Sequence, residues 1–134
     1  MNRSLKKHVL VVDDEEIVRL IISDFLNMSG YDVYAFAHSK LALQHLKKKC
    51  MDIAIVDINM PDIAGEEFIH IAKKLCPHLK FIIHTGETHY NVTDSLQKLD
   101  IYQDAVLTKP VEDMNVFKTT IERLLAKNKP KEIK

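Results

Sequence analysis

Asp57 has the clearest chemical setting in this sequence, because it comes directly after the apolar run 53–56. The run is short and rich in β-branched residues, which predicts a buried strand rather than a helix. Such a strand delivers a carboxylate to its own carboxyl end. Other apolar runs, 9–12, 81–84 and 105–108, lead directly into further polar or charged residues: Asp13 and Asp14, Thr85, and Lys109.

Neighbouring strands of one parallel sheet would bring these side chains to a single edge. Open α/β sheets bind ligands in the crevice beyond the carboxyl ends of their strands. Three carboxylates, one hydroxyl and one ammonium would meet there. Carboxylate oxygens are ligands that Mg²⁺ prefers, and positive charge stabilises a phosphoryl group in transfer. The sequence therefore predicts a site for magnesium and a phosphoryl group.

Helical patterns alternate with the predicted strands. Apolar residues at helical spacing predict helices over 15–29, 39–49 and 112–127, and another that begins at Gly65 and stops at Cys76. On each helix we expect one stripe of side chains to face the core: Ile17, Leu20, Ile21, Phe25 and Met28; Leu41, Leu43 and Leu46; Phe68, Ile69, Ala72 and Leu75; and Phe117, Ile121, Leu124 and Leu125.

The alternation of strands and helices decides the fold class. A further strand is predicted over 32–36, and the segment 91–99 shows the weakest helical pattern. Right-handed crossovers place the helices of successive β-α units on the faces of a parallel sheet. Strict alternation over five units therefore predicts an α/β fold, a doubly wound five-stranded parallel sheet with helices on both faces.

Length and composition fit one domain of ordinary size. The chain has 134 residues with 19 basic and 19 acidic side chains, so no overall field favours nucleic acid or a membrane surface. Its apolar stretches are far shorter than the roughly 20 residues that cross a bilayer. The N-terminus lacks the apolar core of a signal peptide, so we expect a cytoplasmic protein. We divide the chain into an N-terminal lead (1–7), a domain (8–127) and a basic tail or linker stub (128–134).

Cys50 and Cys76 show no metal-binding spacing and no neighbouring histidine pattern. In a protein without a secretory signal, such cysteines are expected to be reduced. The sequence therefore predicts two reduced, partly buried thiols at the ends of two helices.

Five short elements occur in order at the ends of the predicted strands and at the start of one helix: Asp13-Asp14; Asp57 with Asn59-Met60-Pro61; Gly65; Thr85-Gly86; and Lys109-Pro110. Together they resemble the signature of response-regulator receiver domains of two-component signalling, of the single-domain, chemotaxis-regulator-like kind. The resemblance extends over about residues 8–127. It implies a flavodoxin-like strand order, 2-1-3-4-5.

The resemblance implies a phosphoacceptor signalling domain rather than an enzyme with a separate substrate. Asp57 would accept a phosphoryl group from a sensor histidine kinase, from a histidine phosphotransfer protein or, by autophosphorylation, from a small donor. Lys109 would neutralise charge on the phosphoryl oxygens, and Thr85 would donate its hydroxyl to one of them. Loss of the phosphate would occur by autodephosphorylation. A downstream effector would bind the face formed by helix 4, strand 5 and helix 5.

The same resemblance implies Mg²⁺ as the cofactor. Asp14, Asp57 and the main-chain carbonyl of Asn59 match the ligands of the family, and Asp13 would act mainly through water. In the absence of the ion, clustered carboxylates repel one another, so at least one of their pKa values should rise.

Val106 departs from the family pattern. This position, three residues before Lys109, usually holds a Tyr or Phe that acts as a rotamer switch. The route from Thr85 to the output face is therefore undetermined, and Tyr90 and Tyr102 are the candidates for a replacement aromatic. The segment before the last strand also lacks the usual Gly-Ala, so we expect an irregular fourth helix.

Asn59 and Glu87 occupy positions that, in the family, flank the path of the water that hydrolyses the aspartyl phosphate. Neither side chain is bulky enough to shield an in-line approach, and a carboxylate can orient or activate water. The resemblance therefore implies a short-lived phosphate.

Alternative functions stay open at this point. A haloacid-dehalogenase-like phosphohydrolase also uses an aspartate nucleophile, but its nucleophile lies on the first motif strand and is followed two residues later by a catalytic Asp. Here Asp57 lies on the third predicted strand and Asn59 takes the second place. The other alternative is a receiver-like interaction module that is not phosphorylated, which Val106 keeps open. A stand-alone regulator and a piece of a longer protein are equally compatible with the sequence.

Overall fold

The computed structural model describes residues 6–127, in which strands and helices alternate. The strands are β1 (His8–Val12), β2 (Asp32–Phe36), β3 (Ile53–Val56), β4 (Lys80–Thr85) and β5 (Val106–Thr108). The helices are α1 (Glu16–Met28), α2 (Ser39–Lys48), α3 (Gly65–Leu75), α4 (Asp94–Gln97) and α5 (Asn115–Ala126), with a 3₁₀ turn at Gln103–Ala105. The predicted lead 1–7 falls mostly, and the predicted tail 128–134 wholly, outside the described residues.

The strands form a parallel sheet in the order β2-β1-β3-β4-β5. This confirms the predicted doubly wound fold and its flavodoxin-like order. In the middle of the sheet β1 lies beside β3, with Val9 paired to Ile53 and Val12 paired to Val56. Because paired parallel strands run in the same direction, the residues that follow Val12 and Val56 are neighbours at one edge.

An apolar layer covers each face of the sheet. α1 and α5 pack on one face, where Leu26 and Phe117 are buried, and α2 and α3 pack on the other, where Leu46 and Phe68 are buried. Complete burial of a side chain of this kind contributes about 1.5–3 kcal/mol relative to exposure. The helices are thereby fixed on both faces, and the carboxyl edge of the sheet is left to polar residues.

α1 buries a different stripe from the one predicted. Ile22 and Leu26 are buried, whereas Ile17, Leu20 and Ile21 are 66%, 51% and 51% exposed. Apolar residues occur on both sides of this helix, so two stripes of helical period overlap in the sequence and either fits the pattern. The exposed residues Ile17, Leu20 and Ile21 form a surface that we call the α1 patch.

Met28 and Leu41, two further members of the predicted core stripes, are also exposed. Met28 is the last residue of α1 and Leu41 lies in the first turn of α2, so both sit at helix ends rather than over the sheet. Other residues of the predicted stripes are confirmed as buried: Leu43 and Leu46 in α2; Phe68, Ile69 and Ala72 in α3; and Phe117, Ile121 and Leu124 in α5.

Cys50 and Cys76 form a disulfide, so the prediction of two reduced thiols is wrong. The two residues are 26 positions apart, Cys50 after α2 and Cys76 directly after α3. Because α2 and α3 lie side by side on one face of the sheet, their ends meet at its amino edge. The Cα atoms are 5.7 Å apart, a usual separation for a disulfide.

The segment predicted to be irregular holds only the short helix α4, four residues long. Thr93 caps this helix by accepting a hydrogen bond from the N–H of Leu96 at 3.3 Å. The chain then turns at Asp100, whose φ of 70° lies in the left-handed region that Asp enters more readily than most residues. Among residues 6–127, no helix combines the length and the apolar character needed to cross a membrane.

Candidate functional site

The structure brings Asp13, Asp14 and Asp57 together at the carboxyl edge of the sheet. One carboxylate oxygen from each lies within 4.8 Å of the others. Asp13 and Asp57 are buried, with 2% and 6% of their surfaces exposed, and Asp14 is exposed. The adjacency of β1 and β3 in the sheet is the cause of this convergence. We call these three residues the carboxylate cluster.

Lys109 reaches the carboxylate cluster from the end of β5. Its Nζ lies 3.0 Å from Oδ2 of Asp13 and 3.2 Å from Oδ2 of Asp57, and only 17% of its side chain is exposed. Burial by itself would lower the pKa of Lys109, but pairing with Asp13 and Asp57 outweighs burial and raises this pKa above its usual range. The side chain is therefore a permanent cation beside both buried carboxylates.

Glu15 belongs to the site and was missed in the sequence. Its Oε1 lies 3.2 Å from Nζ of Lys109, and its backbone N–H donates to Oδ1 of Asp13 at 2.9 Å. The side chain is 60% exposed, so the ion pair itself contributes little, about 0–1 kcal/mol. Its position directly after Asp13-Asp14 was the only available signal.

The pKa of Asp13 is raised, although electrostatic repulsion within the cluster is a small part of the reason. Burial is the largest cause, and the charge of Asp57 adds least. The hydrogen bond from Glu15 and the ammonium of Lys109 act in the opposite direction without cancelling the effect of burial. One carboxyl pKa is thus raised, as predicted, but the predicted cause is wrong, because burial dominates and repulsion from Asp57 adds least.

The loop after β3 fixes the carboxylate of Asp57 through a backbone hydrogen bond. The backbone N–H of Asn59 donates to Oδ1 of Asp57 at 3.0 Å, which leaves Oδ2 to Lys109. The N–H of Gly65 donates to the carbonyl of Ile58 at 2.9 Å, so the start of α3 folds back on the same loop. Both oxygens of Asp57 therefore have fixed partners.

The start of α3 comes closest to the loop after β3 at Gly65. Replacement of Gly65 by Ala tests how important this contact is. A Cβ at this position would lie 2.6 Å from Cα of Ile58 and 2.7 Å from the carbonyl oxygen of Asp57, both backbone atoms. We expect Gly65→Ala to lower the free energy of unfolding by roughly 2–3 kcal/mol, because overpacking against backbone cannot be relieved by a side-chain rotation. Urea denaturation would measure the difference.

Gly86 supplies a matched control for Gly65. It follows Thr85, on the other side of the site, and a Cβ there would meet nothing within 4 Å. Gly86→Ala should leave stability unchanged or raise it slightly, by at most about 1 kcal/mol, through a less flexible unfolded chain. Equal stability of the two variants would show that α3 can move away from the Asp57 loop without loss.

Thr85 is fully buried at the end of β4. Its Oγ1 accepts a hydrogen bond from the N–H of Glu87 at 3.0 Å, and its carbonyl accepts one from the N–H of Lys109 at 2.7 Å. The hydroxyl is therefore tied into its own loop, while the main chain is tied to the residue that contacts Asp57. Glu87 and Asn59, the two residues suggested to flank the water path, are both exposed.

Tyr90 is the better placed of the two candidate replacement aromatics. It packs half-buried against the α2–α3 face of the core, as does Val106, and its hydroxyl donates to Oε2 of Glu66 at 2.8 Å. Gln103 donates to the carbonyl of Tyr90 at 2.7 Å. Burial and the contact with Glu66 raise the pKa of Tyr90, which keeps it a donor. Tyr102, by contrast, is 45% exposed.

The carboxylate cluster fits a hard divalent cation. Mg²⁺ takes oxygen ligands and usually retains several waters. Two sheltered carboxylates and one exposed carboxylate, with oxygens within 4.8 Å of one another, offer such ligands on one side and solvent on the other. The residues present therefore suit the magnesium site that the sequence suggested.

Comparison with known proteins places this geometry in a family. Residues 9–122 match the family described as the response regulator receiver domain. The chemotaxis protein CheY of Thermotoga maritima is 33% identical over 78 residues, which cover 58% of this chain and 65% of that protein. The regulatory protein VanRc of Enterococcus gallinarum is 27% identical over 124 residues, covering 89% of this chain and 52% of that protein.

A solved structure agrees over nearly the whole fold. The crystal structure of a CheY-like receiver domain protein from Methanospirillum hungatei JF-1 matches with a TM-score of 0.80 and 28% identity, over 92% of this chain and 97% of that chain. The chain spans about half the length of VanRc and nearly all of the Methanospirillum chain.

Proposed function

We propose that Asp57 is the phosphorylation site of this chain, which belongs to the response regulator receiver family. The domain is a phosphorylatable signalling module of two-component systems. One observation carries the choice of Asp57: a buried carboxylate at the end of β3 has one oxygen held by the N–H of Asn59 and the other 3.2 Å from the ammonium of Lys109.

The proposed transfer needs one nucleophile and one nearby cation. An oxygen of Asp57 attacks phosphorus, a new O–P bond forms, and the P–N bond of a donor phosphohistidine breaks. The electron pair of that bond stays with the imidazole, which takes a proton from solvent. Lys109, held by Asp13 and Glu15, balances the negative charge on the phosphoryl oxygens without having to move far. A small acyl phosphate would react in the same way, with a carboxylate as the leaving group.

Asp13, Asp14 and Asp57, with the main-chain carbonyl of Asn59, would hold Mg²⁺. When bound, the ion supplies further positive charge to the phosphoryl oxygens. Asp13 is oriented for such a role by the N–H of Glu15, and Asp14 lies on the solvent-exposed side of the cluster.

Neither alternative function gains support. A haloacid-dehalogenase-like hydrolase would need a second acid where Asn59 stands, and the two relatives described above are a regulatory protein and a chemotaxis protein. A receiver-like module without phosphate chemistry would not require Lys109 to be buried against Asp13 and Asp57. Both observations favour a phosphoacceptor.

A phosphohistidine protein, either a sensor kinase or a phosphotransfer protein, would dock on the α1 patch. The donor imidazole has to reach Asp57, so its protein must contact residues around the carboxylate cluster. α1 begins directly after the acidic run, and Ile17, Leu20 and Ile21 expose apolar surface beside it. Exposed apolar patches mark interaction sites. The effector would use the opposite end of the chain, the α4-β5-α5 face.

The function is tested by incubating the protein with acetyl phosphate and Mg²⁺ and measuring intact mass. We expect the gain of one phosphoryl group, labile to base, and none when the ion is chelated. Reductive trapping followed by peptide mapping should locate the group at Asp57. Full labelling in the presence of chelator, or labelling at another residue, would refute the proposal.

Activation is expected to act through the loop between β4 and α4. When the hydroxyl of Thr85 turns to a phosphoryl oxygen, it must release the N–H of Glu87, and that loop is anchored by the Tyr90–Glu66 hydrogen bond. Hydrogen exchange with and without beryllofluoride should therefore change in residues 86–93. Tyr90→Phe should increase the rate of hydrogen exchange in this loop before activation. Tyr102→Phe serves as the control and should leave that rate unchanged. A response confined to residues 57–65 would contradict this route.

The phosphate on Asp57 is expected to be short-lived. Asn59 and Glu87 are exposed and too small to cover an in-line approach of water. Replacement of Glu87 by Lys and of Asn59 by Arg should slow loss of the label, about tenfold or more, because bulk and positive charge displace the attacking water. The label remaining on isolated phosphoprotein, followed over time, measures the rate. An unchanged rate in the double variant would remove both residues from the path.

A further inference from the structure

A cleft of about 370 Å³ lies between α1 and the start of α5, next to the carboxylate cluster. The exposed Glu15 and the side chain of Lys109 lie on its rim, and the buried His84 lies at its base. The walls between them are apolar: Val18, Ile21, Ile22, Val111, Met114 and Phe117.

His84 is the unusual member of this cleft. It is 4% exposed, and within residues 6–127 neither ring nitrogen has a hydrogen-bond partner. Phe117 packs edge-on against the ring with centroids 5.1 Å apart, which satisfies neither nitrogen. Buried polar groups are nearly always hydrogen-bonded. The imidazole therefore has an unused donor and an unused acceptor. Both nitrogens are covered, so a ligand in the cleft can reach one of them only when the ring turns toward the cleft.

We propose that this cleft binds a compact, uncharged molecule with a largely aromatic body and one N–H or O–H group, which donates to a ring nitrogen of His84 once the ring has turned toward the cleft. The cleft volume lies within the roughly 300–1,000 Å³ usual for small-molecule sites. Apolar walls with a single polar group at the base favour a ligand of the same composition. This binding involves α1, β4 and α5 and does not depend on whether Asp57 accepts a phosphoryl group.

Charge at the rim argues against ionic ligands. Without a bound divalent cation, the carboxylates of Asp13, Asp57 and Glu15 outnumber the ammonium of Lys109, so an anion meets an excess of negative charge. A cation would have to leave water for the apolar walls. Burial, followed by the charge of Lys109, lowers the pKa of His84 to about 4 in spite of Asp57 and Glu15. The ring is therefore neutral at pH 7, and one of its nitrogens keeps a lone pair for a donor.

Indole and 1-methylindole are the probes that test the proposal, because they differ chiefly in the N–H. In protein labelled with [¹⁵N]histidine, indole should shift the ring nitrogens of His84 saturably, with a dissociation constant on the order of 1 mM for so small a ligand. 1-Methylindole should bind roughly 2–10-fold more weakly, the value of one hydrogen bond. Indole-3-acetate, an anion, should also bind more weakly than indole.

Variants separate the hydrogen bond from the cleft itself. In His84→Leu, the two indoles should bind equally, as followed at the backbone amide of Val111. Val111→Trp should fill the cleft and prevent binding of both, whereas Leu41→Ala, on the opposite face of the sheet, should change nothing. The absence of a saturable shift at His84, or equal affinity for both indoles in the unaltered protein, would overturn the proposal.

Discussion

Replacement of Asp57 by Asn is expected to abolish phosphoryl uptake. The amide has no anionic oxygen to attack phosphorus, and it removes one of the two buried carboxylates that contact Lys109. The side chain keeps its size and can still accept the N–H of Asn59, so the fold should persist. After incubation with acetyl phosphate and Mg²⁺, intact mass should show one added phosphoryl group on the unaltered protein and none on Asp57→Asn.

Asp13→Asn is the matched control for this experiment. Asp13 is also buried, also contacts Lys109 and also has its other oxygen held by a backbone N–H, that of Glu15. We expect this variant to take up the phosphoryl group at a reduced rate, since the charge balance changes but the nucleophile remains. If Asp13→Asn lost all labelling while Asp57→Asn retained it, the nucleophile would have to be reassigned.

Lys109→Ala should slow phosphoryl transfer by roughly 10²–10³, the usual loss when one preorganised group that stabilises transition-state charge is removed. It should also destabilise the protein, because two buried carboxylates, Asp13 and Asp57, lose the same cation. The pKa of Asp13, already raised by burial, should rise further. Labelling rates and urea denaturation in parallel would measure both effects.

Two other variants give these measurements their reference points. Lys109→Arg keeps the charge and should recover part of the labelling rate. Lys98→Ala removes an exposed lysine of the same type and should alter neither rate nor stability. A labelling rate for Lys109→Ala within a factor of two of the unaltered protein would mean that the ammonium has a structural role alone.

The sheet and its polar edge could be predicted because each strand is a short apolar run with a distinctive end. The order of such runs determines where Asp57 and Asp13 lie once the strands are parallel. The position of Lys109 at the same edge could be predicted, but the burial of its side chain could not. The Nζ of Lys109 lies 3.0 Å from Asp13 because of how β5 packs in the folded protein, and no local sequence pattern predicts that packing.

The remaining features depend on which surfaces meet. α1 carries apolar residues on both sides, so the sequence could not decide between Ile21 and Ile22 as the buried one. Glu15 and His84 matter through neighbours far away in sequence, Lys109 and Phe117. Tyr90 could be named as a candidate, but its partner Glu66 lies on another helix. Each of these requires tertiary contacts before its role can be recognised.

The Cys50–Cys76 disulfide turns residues 50–76 into a covalent ring. Asp57, Asn59 and Gly65 belong to that ring, whereas Thr85 and Lys109 lie outside it on open chain. One proteolytic cut between the two cysteines would therefore open the ring without releasing a fragment, and Asp57 would stay attached to both parts of the protein until a reductant acted. A cut between Cys76 and Thr85 would instead leave Asp57 on one fragment and both Thr85 and Lys109 on the other.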